Sequence, residues 1–581
     1  MIRQALDASP AAILGGALLL VLGCLATFGG LQPLSHDDLF FHLRTGEIVL
    51  ETRQVPTTDS FSFTRHGQPW VSHEWGFGVL MELVRRGGGL WSLVALGATT
   101  SLALVLTILS ATRRSSRPEV LLATLPLLFV AVVVLAPELI LRAALFSALL
   151  LALTVEALER FRLAPSWKRG GVIVLTVLAW ANFHSGVSFG LWAVGLWSLQ
   201  GCIAALRRPR SLSGLRRWLG LGLGCGLASL CNPNGLETPL YPLTIARLLR
   251  ELRDVVDLAH YAPPTVAKES ATFVLVLLLA LAMVVRRRAL ASVPPARWAL
   301  LATFLALGLT GKRFAPELVV VVTPIAGRLL GAWLPSRASS RAIAIVAISA
   351  AAWATTSLVA RFDARELQSP IARHLPVAAA ELASREGLLT HRFFNHQNYG
   401  GYLGWRLRKP VFWDGRTEVF GPIFAETARS TLPELSKRWD LESLIFAEHD
   451  WRTLAPQLQP AGWVPIYWDD FTAIAVKSTG PFAELATRKG LRLTPPFGGI
   501  PVSLAEGRPD LQAALERELR QVLTDAPHSQ RAAYYLARVL RQQGRLNEAR
   551  ELLVGAVSVA PNQMVEDALA ELQIELLMTA R

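Results

Sequence analysis

Apolar runs long enough to cross a bilayer as helices recur between residues 11 and 360 of this 581-residue chain, and they leave few folds open. Windows of about 19 residues place spans near 11–31, 88–111, 119–136, 138–158, 171–186, 188–206, 214–232, 270–286, 297–311, 314–333 and 342–360, about eleven helices in all. With 52% hydrophobic residues, 18% charged residues and a mean hydropathy of +0.37, the composition fits a polytopic membrane protein and excludes an ordinary soluble multidomain one. The formal charge of +14 does not mark a nucleic-acid surface, because most of the excess sits in short loops between apolar runs. Arg113, Arg114 and Arg117 follow the second span, and Arg160, Arg162, Lys168 and Arg169 the fourth. Arg207, Arg208, Arg210, Arg216 and Arg217 follow the sixth, Arg286, Arg287, Arg288 and Arg297 the eighth, and Arg337 and Arg341 the tenth. Basic loops face the cytoplasm, so alternation puts the N-terminus inside and the segments 32–87, 233–269 and everything after 361 outside. Lys312 and Arg313 are the exception, basic residues in a short outward loop.

The four cysteines, Cys24, Cys202, Cys225 and Cys231, lie in apolar runs or at the end of one, with no disulfide framework or zinc spacing. The segment up to Cys24 reads as a retained helix rather than a lipoprotein signal, since Leu22 fits such a cleavage site poorly and the apolar run continues past it.

After residue 361 the composition changes. Short β-prone runs, RFFN, PVFWD, SLIFAE and IYWDDFTAIAVK, alternate with helical stretches such as AAAELASRE, the pattern of a soluble α/β unit to about residue 480. Gly and Pro clusters from 491 to 509 read as a linker. Beyond it, Ala533, Leu536, Ala537, Leu540, Gly544, Ala549, Leu553, Ala556 and Pro561 fall at the spacing of one tetratricopeptide repeat, flanked by helices at 510–525 and 564–579. A single repeat cannot bury its own face, so a helical hairpin packed on the α/β unit is the competing reading.

The chemistry-bearing residues crowd into the first outward loop. Asp38, His42 and Thr45 are spaced i, i+4 and i+7 and share one face of a helix, with Leu39, Leu43 and Ile48 on the membrane side. A carboxylate and an imidazole at that spacing suit either proton abstraction or a metal, and Asp37 lies beside the same face. An interfacial amphipathic helix with a solvated polar side has the same spacing. His73 and Glu74 sit between Trp70 and Trp75, as catalytic or binding groups or as part of an aromatic belt, and Asp59 is placed to close an Asx turn. Charged residues inside spans are costly and therefore informative. Glu138 and Arg142, and likewise Arg313 and Glu317, lie one turn apart at outer span ends, paired with one another or, for the arginines, placed to hold a lipid phosphate. Asn182 and His184, in WANFHSG, end the fifth span on the same side. All of these positions converge on the outer membrane face.

HDDLFFHLRTG, VPTTDSFSFT and PWVSHEW, together with WANFHSG, CNPNG and NHQNYGGYLGWRLRKPVFWDGRTEVF, resemble a group of bacterial membrane proteins related to the C-type glycosyltransferases. In that group the first motif carries paired tryptophans where Phe40 and Phe41 stand and an acid where His36 stands, which leaves Asp38 as the better match to the family's acid. Taken with the apolar windows and the repeat spacing, the resemblance, which runs from the first span to about residue 420, implies an α-helical polytopic membrane bundle of about eleven transmembrane helices, with a C-terminal extracytoplasmic α/β domain and a helical-repeat tail. Its parts are a C-type-like transmembrane domain at 1–360 with the first outer loop at 32–87, the α/β domain at 361–490 and the tetratricopeptide-like repeat at 510–581. It further implies transfer of a sugar, with inversion, from a polyprenyl-phosphate donor to an envelope acceptor on the outer face of a bacterial inner membrane. The implied catalytic residues are Asp38, His42 and Asp37; the substrate-binding candidates are His73, Glu74, Asn182 and His184, which lie in the shared motifs, and Arg142 and Arg313, which their place at outer span ends singles out. No redox cofactor is needed, a divalent cation is an optional one, and the partners are the lipid-linked sugar, membrane lipid and an envelope protein bound through the repeat, with no nucleic acid. A non-catalytic, membrane-anchored scaffold that presents the C-terminal modules to envelope partners is the alternative. The topology is tested by reporter fusions: positions 115 and 212 should report cytoplasmic and 450 extracytoplasmic, and a cytoplasmic signal at 450 would overturn the orientation.

Overall fold

The computed structural model describes residues 10–112, 118–207, 212–252, 261–331, 340–360, 364–560 and 562–579. Arg113, Arg114, Arg117, Arg208, Arg210, Arg337 and Pro561 lie outside the described residues. The chain divides into two compact units, one built from 1–34, 45–56 and 71–362 and the other from 35–44, 57–70 and 363–581.

The first unit is helical. A helix occupies every one of the expected apolar windows, and four of the described helices, Ala12–Gly30, Trp75–Thr112, Val187–Leu206 and Arg341–Val359, are long and apolar enough to cross a membrane. Leu122–Glu138, Ser270–Val285 and Pro295–Thr310 are apolar but shorter. Length and apolarity thus support a multi-pass membrane protein, a coarser statement than a count of eleven crossings. Helix Pro118–Leu135 is apolar all round because it is central: Leu125, Leu127, Leu128 and Phe129 are all buried, and Pro10–Gly30, Ala315–Gly331 and Ser340–Val359 pack on it. Outer helices instead leave Leu199, Ile203, Leu277 and Leu281 exposed, the surface a lipid environment covers. Elsewhere in the bundle, the buried Glu159 carboxylate accepts from Arg297 at 2.8 Å and from Arg162 at 3.0 Å, so the acid is paired.

Two expectations about this unit change. Residues 75–87, taken as loop, are helical and run into the next span through a bend at Gly88 and Gly89, where Gly89 has φ 71°. Glu138 and Arg142 do not share a helix: a short 3-10 turn, Ala136–Glu138, ends before extended Arg142, and the next helix starts at Ala143.

The second unit holds a four-stranded sheet of β1 (Arg392–Asn395), β2 (Leu441–Ala447), β3 (Trp463–Trp468) and β4 (Thr472–Lys477), in the order β1-β2-β4-β3. β1 and β2 are parallel and β3–β4 is a hairpin antiparallel to β2. PVFWD, expected as a strand, forms only a bridge: Val411 N donates to Phe61 O at 2.9 Å and Phe63 N to Val411 O at 3.0 Å, so its partner is the first loop rather than the sheet. The tail is four helices, Pro509–Asp525, Gln530–Gln542, Leu546–Val559 and Gln563–Thr579, whose small and aliphatic repeat positions Ala533, Leu536, Ala537, Leu540, Ala549, Leu553 and Ala556 are all buried. The segment expected as a linker is pinned, since the Glu518 carboxylate accepts from the backbone N–H groups of Arg492, Leu493 and Thr494. Asp470 likewise caps the Gln530–Gln542 helix, accepting from Ser529 Oγ and from the N–H groups of Gln530 and Arg531.

At the heart of this unit lies a fully buried ion network. Arg416 Nη2 donates to Asp59 Oδ1 at 2.6 Å and to Asp414 Oδ2 at 2.7 Å, and its Nε to Asp414 Oδ1 at 2.9 Å. The guanidinium lies 4.5 Å from the Trp70 ring centroid and 4.8 Å from that of Phe61. Burial alone would favour the neutral form, but the charges of Asp414 and Asp59 prevail and raise the Arg416 pKa further. Replacing Arg416 by Met removes the one cation that, among the described residues, touches these two buried carboxylates, and should cost about 3–5 kcal/mol. Thermal melting of the purified full chain in detergent checks this; a variant melting with the parent would show the network to be dispensable.

Candidate functional site

Helix Asp38–Thr52 begins one residue after Asp37. Asp37 therefore sits where its side chain turns back from its own helix, and it caps a different one. Its Oδ1 accepts from Tyr402 N at 2.8 Å and its Oδ2 from Gly401 N at 2.9 Å, the first turn of helix Gly400–Leu407. That approach needs glycine: a Cβ at Gly401 would lie 2.4 Å from Asp37 O, and one at Gly400 would lie 1.9 Å from Trp413 O. Burial pushes the Asp37 carboxyl up to about 8, and the charges of Asp38 and Asp414 add to the rise while the two N–H donors oppose it.

Asp38, its neighbour, has a different environment. Its side chain is 36% exposed, and Oδ2 lies 3.1 Å from His36 Nδ1. His42 and Thr45 are buried, as are Leu39 and Leu43, so the helix lacks the solvated polar face that an interfacial helix requires. Of the three expected catalytic side chains, Asp38 alone combines exposure with a polar neighbour. Asp59 closes the expected Asx turn, Phe61 N donating to its Oδ1 at 3.2 Å, and it also accepts from Arg416, a long-range partner that local spacing does not reveal.

The helical unit brings together a second group. His184 Nε2 lies 3.2 Å from Glu74 Oε1, and His73 Nε2 lies 3.8 Å from the same oxygen. His184 Nδ1 accepts from Gly186 N at 2.9 Å and contacts Ser147 Oγ at 2.7 Å, while Trp180 Nε1 donates to Ser147 Oγ at 2.7 Å. A backbone N–H aimed at Nδ1 leaves the proton of neutral His184 on Nε2, facing Glu74. Tyr241 stacks on the His73 ring with centroids 3.8 Å apart. Asn182 accepts from Trp75 Nε1 at 3.2 Å and donates to Cys231 O at 3.0 Å, tying WANFHSG to CNPNG. Sequence reading missed Ser147 and Tyr241, whose only signal is a hydroxyl or an aromatic in a largely apolar context, and did not single out Trp180, the first residue of WANFHSG.

Arg142 and Arg313 line one small cavity with Glu138 and Glu317. Arg142 is ion-paired with Glu138, but its buried Nε has no hydrogen-bond partner among the described residues, and Arg313 lays its guanidinium 4.4 Å from the Tyr261 ring centroid. Among the described residues no three His, Cys, Asp or Glu side chains are placed to hold one metal ion.

These features belong to a multi-pass membrane protein with a helical-repeat tail. A tetratricopeptide repeat profile matches residues 504–572. A search of curated proteins returns no match. Among solved structures, the chain is similar to the Archaeoglobus fulgidus oligosaccharyltransferase tethered to an acceptor peptide containing the NVT sequon, at 10% identity over 78% of this chain and 74% of that one, with a TM-score of 0.49. It is also similar to the archaeal oligosaccharyltransferase AglB from Archaeoglobus fulgidus in complex with an inhibitory peptide and a dolichol-phosphate, at 12% identity over 77% and 72%, with a TM-score of 0.49. ArnT from Cupriavidus metallidurans bound to undecaprenyl phosphate matches at 15% identity over 80% and 97%, with a TM-score of 0.45. These neighbours are C-type glycosyltransferases.

The Asp37 environment has a pH signature. Because its folded value lies above that of an ordinary aspartate, the folded state holds this proton longer, so stability present at low pH is lost as pH rises toward about 8. Asp37→Asn cannot ionise and leaves one N–H facing an amide N–H. It should therefore melt lower than the parent at pH 5 and show a weaker decline between pH 5 and pH 8; an unchanged pH slope in the variant would assign the dependence to other groups.

Proposed function

We propose that this chain is a membrane glycosyltransferase that moves a sugar from a polyprenyl-phosphate donor to an envelope acceptor on the outer face of a bacterial inner membrane. The N-terminus is cytoplasmic and the C-terminal α/β and repeat modules are extracytoplasmic. The observation that carries this reading is the division of labour between two adjacent acids: both Asp37 oxygens are taken by backbone N–H groups, whereas Asp38 stays accessible beside His36. A general base must be reachable by the hydroxyl whose proton it takes, and Asp38 meets that condition.

In the proposed step the acceptor hydroxyl oxygen attacks the anomeric carbon and its proton passes to Asp38. The bond from that carbon to the phosphate oxygen breaks with its electron pair, releasing the polyprenyl phosphate and inverting the centre. Phosphate is already a good leaving group, so catalysis rests on positioning and charge stabilisation. Arg142 and Arg313 are suited to the donor phosphate, the first with an unmet N–H and the second with a guanidinium held over an aromatic face. Glu74, oriented by His184 and flanked by His73, is suited to sugar or acceptor hydroxyls, and Asn182 to holding that region in place. His42, being buried, supports the helix that carries Asp38. The scaffold reading draws on one observation, the tetratricopeptide repeat at 504–572, which also serves an enzyme that must find an envelope protein partner.

The test is transfer from an undecaprenyl-phosphate-linked sugar pool by purified, folded variants. Asp38→Asn should lose on the order of a hundredfold or more in rate. Full activity in Asp38→Asn with loss in folded Asp37→Asn would move the acid by one residue; full activity in both would make the loop structural and favour the scaffold.

A further inference from the structure

Resting on the reading of Asp38 as the acid that meets the acceptor, we propose that Gly415 is a positioning residue: its bare Cα is the wall against which the Asp38 carboxylate is set. A Cβ built on Gly415 would lie 2.4 Å from Asp38 Oδ1 and 3.6 Å from Asp38 Cγ, and it would meet nothing else within 4 Å. The other oxygen, Oδ2, lies 3.1 Å from His36 Nδ1. One oxygen therefore abuts a glycine and the other an imidazole, and between them they select the side-chain rotamer.

The wall cannot easily yield. Arg416 N donates to Asp414 Oδ1 at 3.0 Å and Thr417 N to Gly415 O at 2.9 Å, which close the Asp414–Gly415–Arg416 turn. The buried bonds from the Arg416 guanidinium to Asp59 and Asp414 then fix that turn within its unit. Rotation of Asp38 about its own χ angles is the softer response, because its carboxylate is partly exposed whereas the turn is held by a buried ion network. Gly415 differs in this from Gly400 and Gly401, where an added methyl runs into backbone oxygens and the chain itself must shift. The Asp-Gly-Arg turn thus reads as the device by which the C-terminal unit sets an acid carried on the first loop.

The experiment is a double-mutant cycle on the full chain, with the same undecaprenyl-phosphate-linked sugar pool and with thermal melting as a second readout. Gly415→Ala should keep the parent's melting temperature and donor KM while kcat falls about tenfold to a hundredfold, the range a displacement of roughly 1 Å produces. Asp38→Asn with Gly415→Ala should be no slower than Asp38→Asn alone, because both changes act through one carboxylate. Full kcat in Gly415→Ala, or a second loss of the same size on top of Asp38→Asn, would overturn the proposal. If Gly415→Ala melts lower, Asp38→Ala in the same chain should restore it, since only Asp38 lies within reach of the methyl; no recovery would also overturn it. Full activity in Asp38→Asn would instead remove the catalytic reading of Asp38, leaving the contact to be judged by the melting arm.

Discussion

One buried guanidinium between two carboxylates organises the second unit. Asp59 and Arg416 are far apart in sequence, so their bond closes a long loop whose entropy must be offset by interactions that form together. The network meets that demand because almost every lone pair is used. Asp59 accepts from Phe61 N, Ser62 N, Ser62 Oγ and Arg416, while Asp414 accepts from the backbone and side chain of Arg416. Two carboxylates against one cation leave a net negative charge, and the backbone N–H groups aimed at it are what make that charge tolerable in a dry setting. The aromatic faces of Trp70 and Phe61 then exclude water from the guanidinium and attract it at the same time.

The two adjacent acids show how a helix start sorts chemistry. Successive residues at a helix start are rotated by about 100° around its axis, so Asp37 and Asp38 diverge although they are neighbours. Asp37 meets the N-terminal N–H groups of Gly400–Leu407 and becomes an anchor, whereas Asp38 remains at the surface beside His36. The paired glycines of NYGGY belong to the same arrangement, since a side chain on Gly401 would collide with Asp37 itself. A motif that looks catalytic throughout is thus partly a docking device.

Much of this was legible in the chain. Apolar runs marked every long helix of the first unit, β-prone runs marked β1 and β2 and the β3–β4 hairpin, and the spacing from Ala533 to Ala556 marked the repeat. These signals are local, set by helix and strand periodicity. Failures came where tertiary partners overrode local pattern. PVFWD has strand composition but meets the first loop through a single bridge, and residues 75–87, read as loop because the Gly87–Gly89 run separates them from the next apolar window, are helical and bury Glu82 against Arg85 and Arg86. The partners of Asp37, Asp59 and His184 lie tens to hundreds of residues away, and no spacing rule on one sequence encodes them.

The polar chain in the helical unit carries the same logic into apolar surroundings. Trp180 has a single N–H, and it is spent on Ser147; the hydroxyl then turns its proton toward His184 Nδ1, where Gly186 N–H also points. Each link fixes the direction of the next, so the imidazole has one tautomer and presents Nε2–H to Glu74. A metal at that nitrogen would require the proton to move to Nδ1, where a backbone donor already stands. The group is therefore built to aim a carboxylate, as the Asp-Gly-Arg turn is in the other unit. In both places a charged oxygen is held by donors or walls that cannot follow it, which is how a rigid scaffold keeps a polar group in position.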